Sequence, residues 1–376
     1  MSAKKPKIII VGGGLAGLTS AILLAKKDFE VVLIERKSYP FNRVCGEYVS
    51  NEVLPFLQSI GFKPNDYGAA KINKLVITSP KGNSLKTNLD LGAFGISRFE
   101  LDIALYQIAL KAGVTFLLEQ KVNNVTFKDQ ILEVELNNKT LQADLVIGAF
   151  GKRSNLDQKL KRNFFYQRSP YVGVKYHIKT DFAKDLIQLD NFKGGYCGLS
   201  KIEKDLYCLC YLAENKYLKQ YGSIAAMEEN ILYQNPLLKN HFKNSQFIWE
   251  KPETINEISF EKKSLIENHI LMCGDTAGMI APLCGNGMAI AIHSGKILAE
   301  EIIANCSNGL TPQKRLNLEA AYVKNWNNQF ALRLKIGRGI QNLFGNNILT
   351  EIAVASLKKL PFLTQEIVKK THGNSF

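Results

Sequence analysis

The stretch KIIIVGGGLAGLTSAILLAKKDFEVVLIE, Lys7 to Glu35, constrains the fold more than any other part of the chain. Lys7 to Val11 is a short β-branched apolar run, the composition of a strand buried on both faces. Gly12, Gly14 and Gly17 follow at once as G-x-G-x-x-G. Leu15 to Lys27 then reads as a helix, and Val31 to Ile34 as a second buried strand ending on Glu35. Gly12 permits the tight strand-to-helix turn, Gly14 has no side chain to hold a pyrophosphate off the backbone, and Gly17 lets the helix pack close to the sheet. The helix start offers free N–H groups and a positive dipole end to phosphate. An acid placed as Glu35 is accepts hydrogen bonds from ribose hydroxyls. Glycine loops occur in many turns, so the triplet alone says little. Strand, glycines, helix, strand and acid in this order predict a dinucleotide site.

A chain of 376 residues can bury a large core and is expected to hold two domains, or one with a large insertion. No apolar run reaches bilayer-spanning length. MSAKKPK passes directly into the first strand, so a cleaved signal peptide is not expected. Cys45, Cys197, Cys208, Cys210, Cys273, Cys284 and Cys306 are odd in number and contain no C-x-x-C. They fit reduced thiols in a cytoplasmic protein, and the histidines show no metal-ligand spacing. The net charge of +14 comes from lysines spread along the whole chain, with no nucleic-acid module, so a nucleic-acid partner is not expected.

Along the chain, Asn51–Ile60 reads as helical, and Lys74–Ser79 with Ser84–Leu89 as a strand pair around Pro80-Lys81-Gly82-Asn83. Arg98 opens a helix carrying Leu101, Leu105, Ile108 and Ala109 at helical spacing. Val114–Leu118 and Ala143–Ala149 are further buried strands, with a hairpin at Thr126–Leu136 turning on Asp129-Gln130. From Leu156 to Glu267 the pattern changes to strands at Tyr171–Lys179 and Leu206–Leu212 among aromatic and lysine-rich loops, with a helical piece near Ile224–Tyr233. His269–Cys273 restores a short strand, and Met288–Ala304 is a long apolar helix. The tail from Thr311 is helical and basic, with Arg333, Lys335, Arg338, Lys358, Lys359 and Lys369 against Glu351 and Glu366. It reads as a capping subdomain, or as an element for peripheral membrane contact.

Cys273 to Gly295 (CGDTAGMIAPLCGNGMAIAIHSG) places an acid, Asp275, after a strand, then a proline, then Gly285-Asn286-Gly287 at the mouth of a helix. An acid there can hold a ribityl hydroxyl, and the glycine-opened helix start can stabilise negative charge on a reduced flavin ring. With these motifs in place, the chain resembles FAD-dependent oxidoreductases of the p-hydroxybenzoate hydroxylase fold, and within them the geranylgeranyl reductase family. Gly12–Gly17 with Glu35, Arg43-Val44-Cys45-Gly46, Arg98, and Gly274-Asp275 through Gly287 carry the resemblance. It implies an α/β chain: a Rossmann-like FAD-binding domain (1–70, 91–155 and 268–310), an inserted antiparallel-sheet substrate domain (71–90 and 156–267), and a C-terminal helical segment (311–376).

The resemblance also implies site roles. Gly12, Gly14, Ala16, Gly17, Glu35, Arg36, Arg98 and Val122 would serve the adenosine and diphosphate side. Cys45, Gly46 and Tyr48 would lie by the flavin ring, with Asp275, Gly285, Gly287 and Met288 at ribityl and isoalloxazine. Asp144–Ser154 resembles the D-G motif of the same fold, with Phe150-Gly151 in place of its acid-glycine pair. Gly194–Lys201 stands where polyprenyl reductases carry Y-x-W-x-F-P; Tyr196 remains, the tryptophan and proline do not. The W-x-W-x-I-P of flavin halogenases is absent. Cys45 and Cys284 are weighed as packing and flavin contacts ahead of chemistry, His293 as a satisfied histidine, and Tyr196 as cavity wall. The expected activity is FAD-dependent reduction of a carbon–carbon double bond in a small lipophilic, polyprenyl-like substrate. NAD(P)H or a reduced electron carrier would be the transient reductant, since no second G-x-G-x-x-G exists. The alternatives are a monooxygenase hydroxylating an aromatic or lipophilic compound, and a non-catalytic lipid-binding relative.

Overall fold

The computed structural model describes residues 4–167, 169–256, 258–279, 285–343 and 346–376. The chain begins with β1 (Ile8–Val11), α1 (Leu15–Ala25) and β2 (Val31–Ile34), then leaves the nucleotide pattern in β3 (Tyr48–Ser50), α2 (Leu54–Ile60), β4 (Ala70–Thr78) and β5 (Ser84–Gly95). It returns in α3 (Arg98–Lys111) and β6 (Thr115–Leu117), followed by β7 (Asn124–Lys128), β8 (Ile131–Glu135), β9 (Thr140–Ala143), β10 (Leu145–Gly148) and α4 (Asn155–Lys159). The long insertion holds β11 (Tyr171–Lys179), β12 (Leu186–Phe192), β13 (Gly195–Lys201), β14 (Tyr207–Glu214), α5 (Asn215–Tyr221), α6 (Ile224–Asn230), α7 (Pro236–Asn244), β15 (Gln246–Phe247) and β16 (Glu253–Asn256). β17 (Ile266–Glu267), β18 (Ile270–Met272), α8 (Gly287–Cys306), α9 (Pro312–Leu343), α10 (Asn347–Lys359) and α11 (Pro361–Thr371) complete it.

Ile8, Ile9 and Ile10 are wholly buried because β1 sits inside a sheet ordered β17-β18-β10-β1-β2-β6, parallel apart from β17. β1 pairs β2 on one side and β10 on the other, so the chain leaves its C-terminal end at the switch point where such sheets bind ligands. The hairpin β7–β8 turns on Asp129 and Gln130, at φ 49° and 65°, the left-handed pair that matches strand twist. A second sheet runs β15-β11-β14-β13-β12-β4-β5-β3, with β16 on β11. One of its faces (Val172, Val174, Leu209, Tyr211) is covered by Met227, Leu232, Leu238 and Phe242 from the α6–α7 region. The opposite face gathers Ile72, Leu75, Leu89, Ile187, Leu189, Tyr196 and Leu212 with Tyr48.

Two features of this sheet differ from expectation. β12 and β13 were absent from the sequence reading, because β12 breaks apolar alternation with Gln188, Asp190 and Asn191, all buried. Most of their polarity is met internally: Thr78 donates to Asp190 at 2.6 Å, Gln188 to Asp190 at 2.9 Å, and the Asn191 amide to the Thr78 carbonyl at 2.8 Å. Burial pushes the Asp190 carboxyl up to about 6. β5 also continues past Leu89, where the expected strand ends, to Gly95; Gly92 takes φ +65° without ending the strand. The C-terminal segment is helical as expected. α9 packs on α8, and Tyr322 donates to the Met272 carbonyl at 2.6 Å, tying this segment to β18.

Candidate flavin site

At the end of β1, Gly12 takes φ +106°, and a Cβ there would lie 2.3 Å from the Ala149 carbonyl oxygen. A Cβ on Gly17 would lie 2.1 Å from the Gly12 oxygen, so these two glycines are required by packing. Gly14 differs: a Cβ would meet nothing nearer than an Arg98 guanidinium nitrogen at 4.0 Å. It caps α1 with no side-chain hydrogen bond, and no acid stands in the first turn, so backbone N–H groups face open space beside a cation.

Around this opening Glu35 is buried and accepts from the Gly13 N–H at 2.9 Å, the Lys37 N–H at 3.2 Å and Arg43 at 3.4 Å. A carboxylate offers about four acceptor directions, so one remains for a hydroxyl. Arg43 also reaches Asp102 at 3.1 Å, and Arg98 forks onto Asp102 at 2.7 and 2.8 Å. Burial alone would lower the Arg98 guanidinium, but Asp102 outweighs it and holds Arg98 firmly charged. Tyr39 donates to the Gly13 carbonyl at 2.5 Å and stacks on Tyr106. Burial, with Glu35 and Asp102 beside it, raises its phenol so that it stays a donor. Arg36 is exposed, while Val122 is buried in the core and its carbonyl accepts from Asn155 at 3.3 Å.

The second segment meets the first through close backbone contact. A Cβ on Gly295 of α8 would stand 2.5 Å from the Ala16 oxygen, and one on Gly274 2.8 Å from the Ala16 Cβ. Ser20 donates to the Gly295 carbonyl at 3.0 Å, and Ser294 accepts from the Gly274 N–H at 2.9 Å. Asp275 thereby shares an electrostatic neighbourhood with Arg98; burial raises its carboxyl, and Lys263, Arg98 and Lys152 oppose that rise. Lys263 donates to the Asp275 carbonyl at 2.8 Å and is pushed down to about 8 by burial. α8 begins at Gly287 with no acid in its first turn; Met288 is buried behind it, and Gly285 (φ +65°) lies against the Tyr48 ring. Cys284 and Pro282, named from the sequence, lie outside the described residues.

Between the two sheets, segment 43–48 is fastened by a side chain the sequence reading did not single out. Glu47, at φ +53°, is fully buried. It accepts from the Arg98 N–H at 2.9 Å, from His177 at 2.6 Å, and from Lys175, whose ammonium also reaches the Arg43 carbonyl at 3.1 Å. Burial alone would raise the Glu47 carboxyl; Lys175 and His177 overcome this and pull it below its ordinary value. Lys175 is correspondingly raised, Glu47 outweighing burial. Glu47, His177 and Cys208 each bring a metal-ligating atom within 4.8 Å of the others, a grouping the sequence spacing did not announce. Lys175 already supplies the positive charge there, and both Glu47 oxygens are engaged. The sequence signal was Lys175 and His177 two apart in the otherwise apolar run YVGVKYHI, which puts both on one sheet face. Burial raises the Cys45 thiol, and Arg98 is the main opposing cation. Tyr196 is buried on the sheet face shared with Tyr48. Gly151, in the D-G-like stretch, donates to Thr276 at 2.9 Å.

Residues 5–318 match the FAD binding domain family, and the chain belongs to that family of flavin-dependent oxidoreductases. It is 24% identical over 357 residues to a digeranylgeranylglycerophospholipid reductase of Methanosarcina acetivorans, covering 90% of this chain and 84% of the relative. A geranylgeranyl bacteriochlorophyll reductase-like structure from Thermoplasma acidophilum superposes with TM-score 0.70 at 18% identity, over 100% of this chain and 97% of its own. The flavin-dependent brominase Bmp2 superposes with TM-score 0.79 at 17% identity, over 98% and 93%. Likenesses at that identity establish the shared fold, of the p-hydroxybenzoate hydroxylase type. The residues present fit FAD: a bare glycine before an uncapped helix start, Arg98 beside it, Glu35 with an open acceptor direction, and open space over Gly46, where a Cβ would meet nothing within 4 Å. No helix among the described residues is long and apolar enough to cross a membrane.

Proposed function

We propose that this protein reduces a carbon–carbon double bond in a lipophilic, polyprenyl-like substrate, using FAD recharged by NAD(P)H or a reduced electron carrier that visits transiently. Bound and reduced, FAD supplies a hydride from its ring nitrogen N5. The observation that carries this reading is the apolar sheet face joining Tyr48, beside Gly285, to Ile187, Leu189, Tyr196 and Leu212, with Tyr171, Phe260 and Met279 packed around it. A wall of that composition suits a hydrocarbon chain and keeps water from the reacting atoms. In this reading Gly12, Gly14, Ala16, Gly17, Glu35, Arg36, Arg98 and Val122 hold the adenosine and diphosphate. Asp275, Gly285, Gly287 and Met288 hold ribityl and ring, and Gly46 and Tyr48 flank the ring. The α8 dipole favours a ring carrying extra negative charge. Cys45 keeps its proton, and Glu47 holds the loop that carries it. The relative named as a digeranylgeranylglycerophospholipid reductase supports the same substrate class.

The test is anaerobic reduction of the FAD-loaded protein with NADH, NADPH or a chemically reduced carrier, then mixing with polyprenyl lipids and adding oxygen. Flavin reoxidation by a polyprenyl lipid without oxygen, with a saturated product, supports the reading. Turnover that needs oxygen in proportion to substrate assigns a hydroxylase instead.

A further inference from the structure

We propose that the α10–α11 helical hairpin docks this protein onto an anionic lipid bilayer. Among the described residues, six of the thirteen exposed large apolar side chains fall in this one hairpin: Ile348, Leu349, Ile352, Leu360, Phe362 and Leu363. Phe362 is 76% exposed and Ile348 72%, values that no other large apolar side chain described here exceeds. Single exposed apolar residues are ordinary, but a concentration on one element marks an interaction site.

The charges around these side chains select the partner. Lys358, Lys359, Lys369 and Lys370 are all exposed on the same hairpin. Its two carboxylates are both engaged, and Lys369 is shared between Glu366 and Asp90 of β5, the latter at 3.5 Å. Glu351 accepts from the Lys81 N–H at 2.7 Å and from Asn83 at 3.1 Å on the β4–β5 turn, and Glu366 lies 3.8 Å from Lys369. Lys86 of β5 and Lys358 line a groove of about 300 Å³ together with Leu85, Leu357 and Thr364. Apolar side chains interleaved with ammonium groups match a surface of phosphate groups over hydrocarbon, and each such lysine contributes to attraction by anionic lipid. A protein partner with a complementary acidic rim is the competing occupant, and the exposed ammonium groups of Lys358 and Lys359 at the end of α10, next to exposed Leu360 and Phe362, favour lipid. The hairpin's inner side is the anchor that gives docking a consequence. Thr350, Val354 and Thr364 are buried against the body, and Val368 packs into the apolar cluster containing Tyr48. A membrane held against the outer side therefore lies one helix layer from the apolar sheet face.

The experiment uses the full FAD-loaded chain with phosphatidylcholine vesicles, with and without phosphatidylglycerol, separated by sedimentation. The readout is lipid binding alone, so it stands or falls independently of the reductase reading. The protein is expected to pellet with the phosphatidylglycerol vesicles, and less as salt is raised. The Phe362→Ser, Leu363→Ser double variant is expected to bind about tenfold or more weakly, and Lys358→Gln, Lys359→Gln about thirtyfold more weakly at low salt. Both variants change exposed side chains and should keep flavin absorbance and melting temperature. Wild-type protein left in the supernatant with anionic vesicles overturns the proposal, as do variants that pellet like wild type. A dimer broken by Phe362→Ser, Leu363→Ser, without vesicle binding, overturns it by making the face a subunit interface.

Discussion

Glu35 and Glu47 are both buried carboxylates facing cations, one at the dinucleotide end of the site and one at the flavin end. They differ in how far along the chain their partners come from. Glu35 takes hydrogen bonds from Gly13, Lys37 and Arg43, all within the first turn of βαβ structure and the loop that follows. Besides the Arg98 N–H, Glu47 takes them from Lys175 and His177 of β11, more than a hundred residues away and six strands across the sheet whose edge strand β3 follows Glu47 directly. A short-range carboxylate is positioned by local folding whether or not the rest of the molecule has assembled. A long-range one is satisfied only once distant strands have assembled, and an unpaired buried partner is expensive. The proposed adenosine end is therefore a product of local sequence, and the proposed ring end a product of long-range assembly.

The sharpest way to test this is at the glycines. Gly17→Val forces a side chain into the Gly12 carbonyl and should abolish soluble protein, measured as soluble yield and circular dichroism. Gly14→Ala points into open space and should leave the fold intact while weakening FAD binding about tenfold or more, read by flavin fluorescence titration. If Gly14→Ala also unfolds the chain, the opening before α1 is not a cofactor cradle. At the other end, Glu47→Ala strands the Lys175 ammonium in a dry interior and should cost about 3–5 kcal/mol in denaturant unfolding. Glu47→Leu combined with Lys175→Met should recover most of that loss. Recovery of stability without recovery of turnover would separate the latch from the chemistry it holds in place.

The same contrast explains what the sequence made legible. β1, α1, β2 and α8 follow from apolar periodicity and glycine placement, and both segments of the proposed flavin site carry those signals. The meeting of Gly274 and Gly295 with Ala16 could be anticipated because the motifs share one ligand's length. The pairing of Glu47 with Lys175 and His177 was illegible, since nothing in a single sequence pairs residues so distant, although two polar residues on one face of β11 are a signal in themselves. Asp102 and Tyr39 were missed for a smaller reason: an acid one turn past Arg98 and an aromatic in a loop look like solvent-facing residues until the fold buries them. β12 was lost because its polar residues face each other rather than water.

Asp275→Ala should fold and lose FAD occupancy, because the carboxylate stands among the positive charges of Lys263, Arg98, Lys152 and Arg43 at the junction of the two segments. Full flavin content in that variant, measured by absorbance, would place the ribityl contact elsewhere.

The smallest effect is expected where the two ends share one helix. His293 lies on α8, its ring 3.7 Å from that of Phe376 and edge-on to Phe330. Burial first, then Lys296 and Arg333, lower its pKa to about 4. The unfolded chain protonates this imidazole near pH 6.5 and the folded one only near 4, so between those values the unfolded state binds more protons. Stability from this group is complete above pH 6.5 and falls as pH drops toward 4, by about 1.4 kcal/mol per unit at most. Glu228, raised to about 7 by burial, works the other way, losing stability as pH rises toward 7. The His293 contribution is therefore read as the difference between wild type and His293→Phe in denaturant midpoints across pH 4 to 7. A difference that stays flat over that window means the imidazole is solvated or paired, and that α8 is looser between the two ends than its packing indicates.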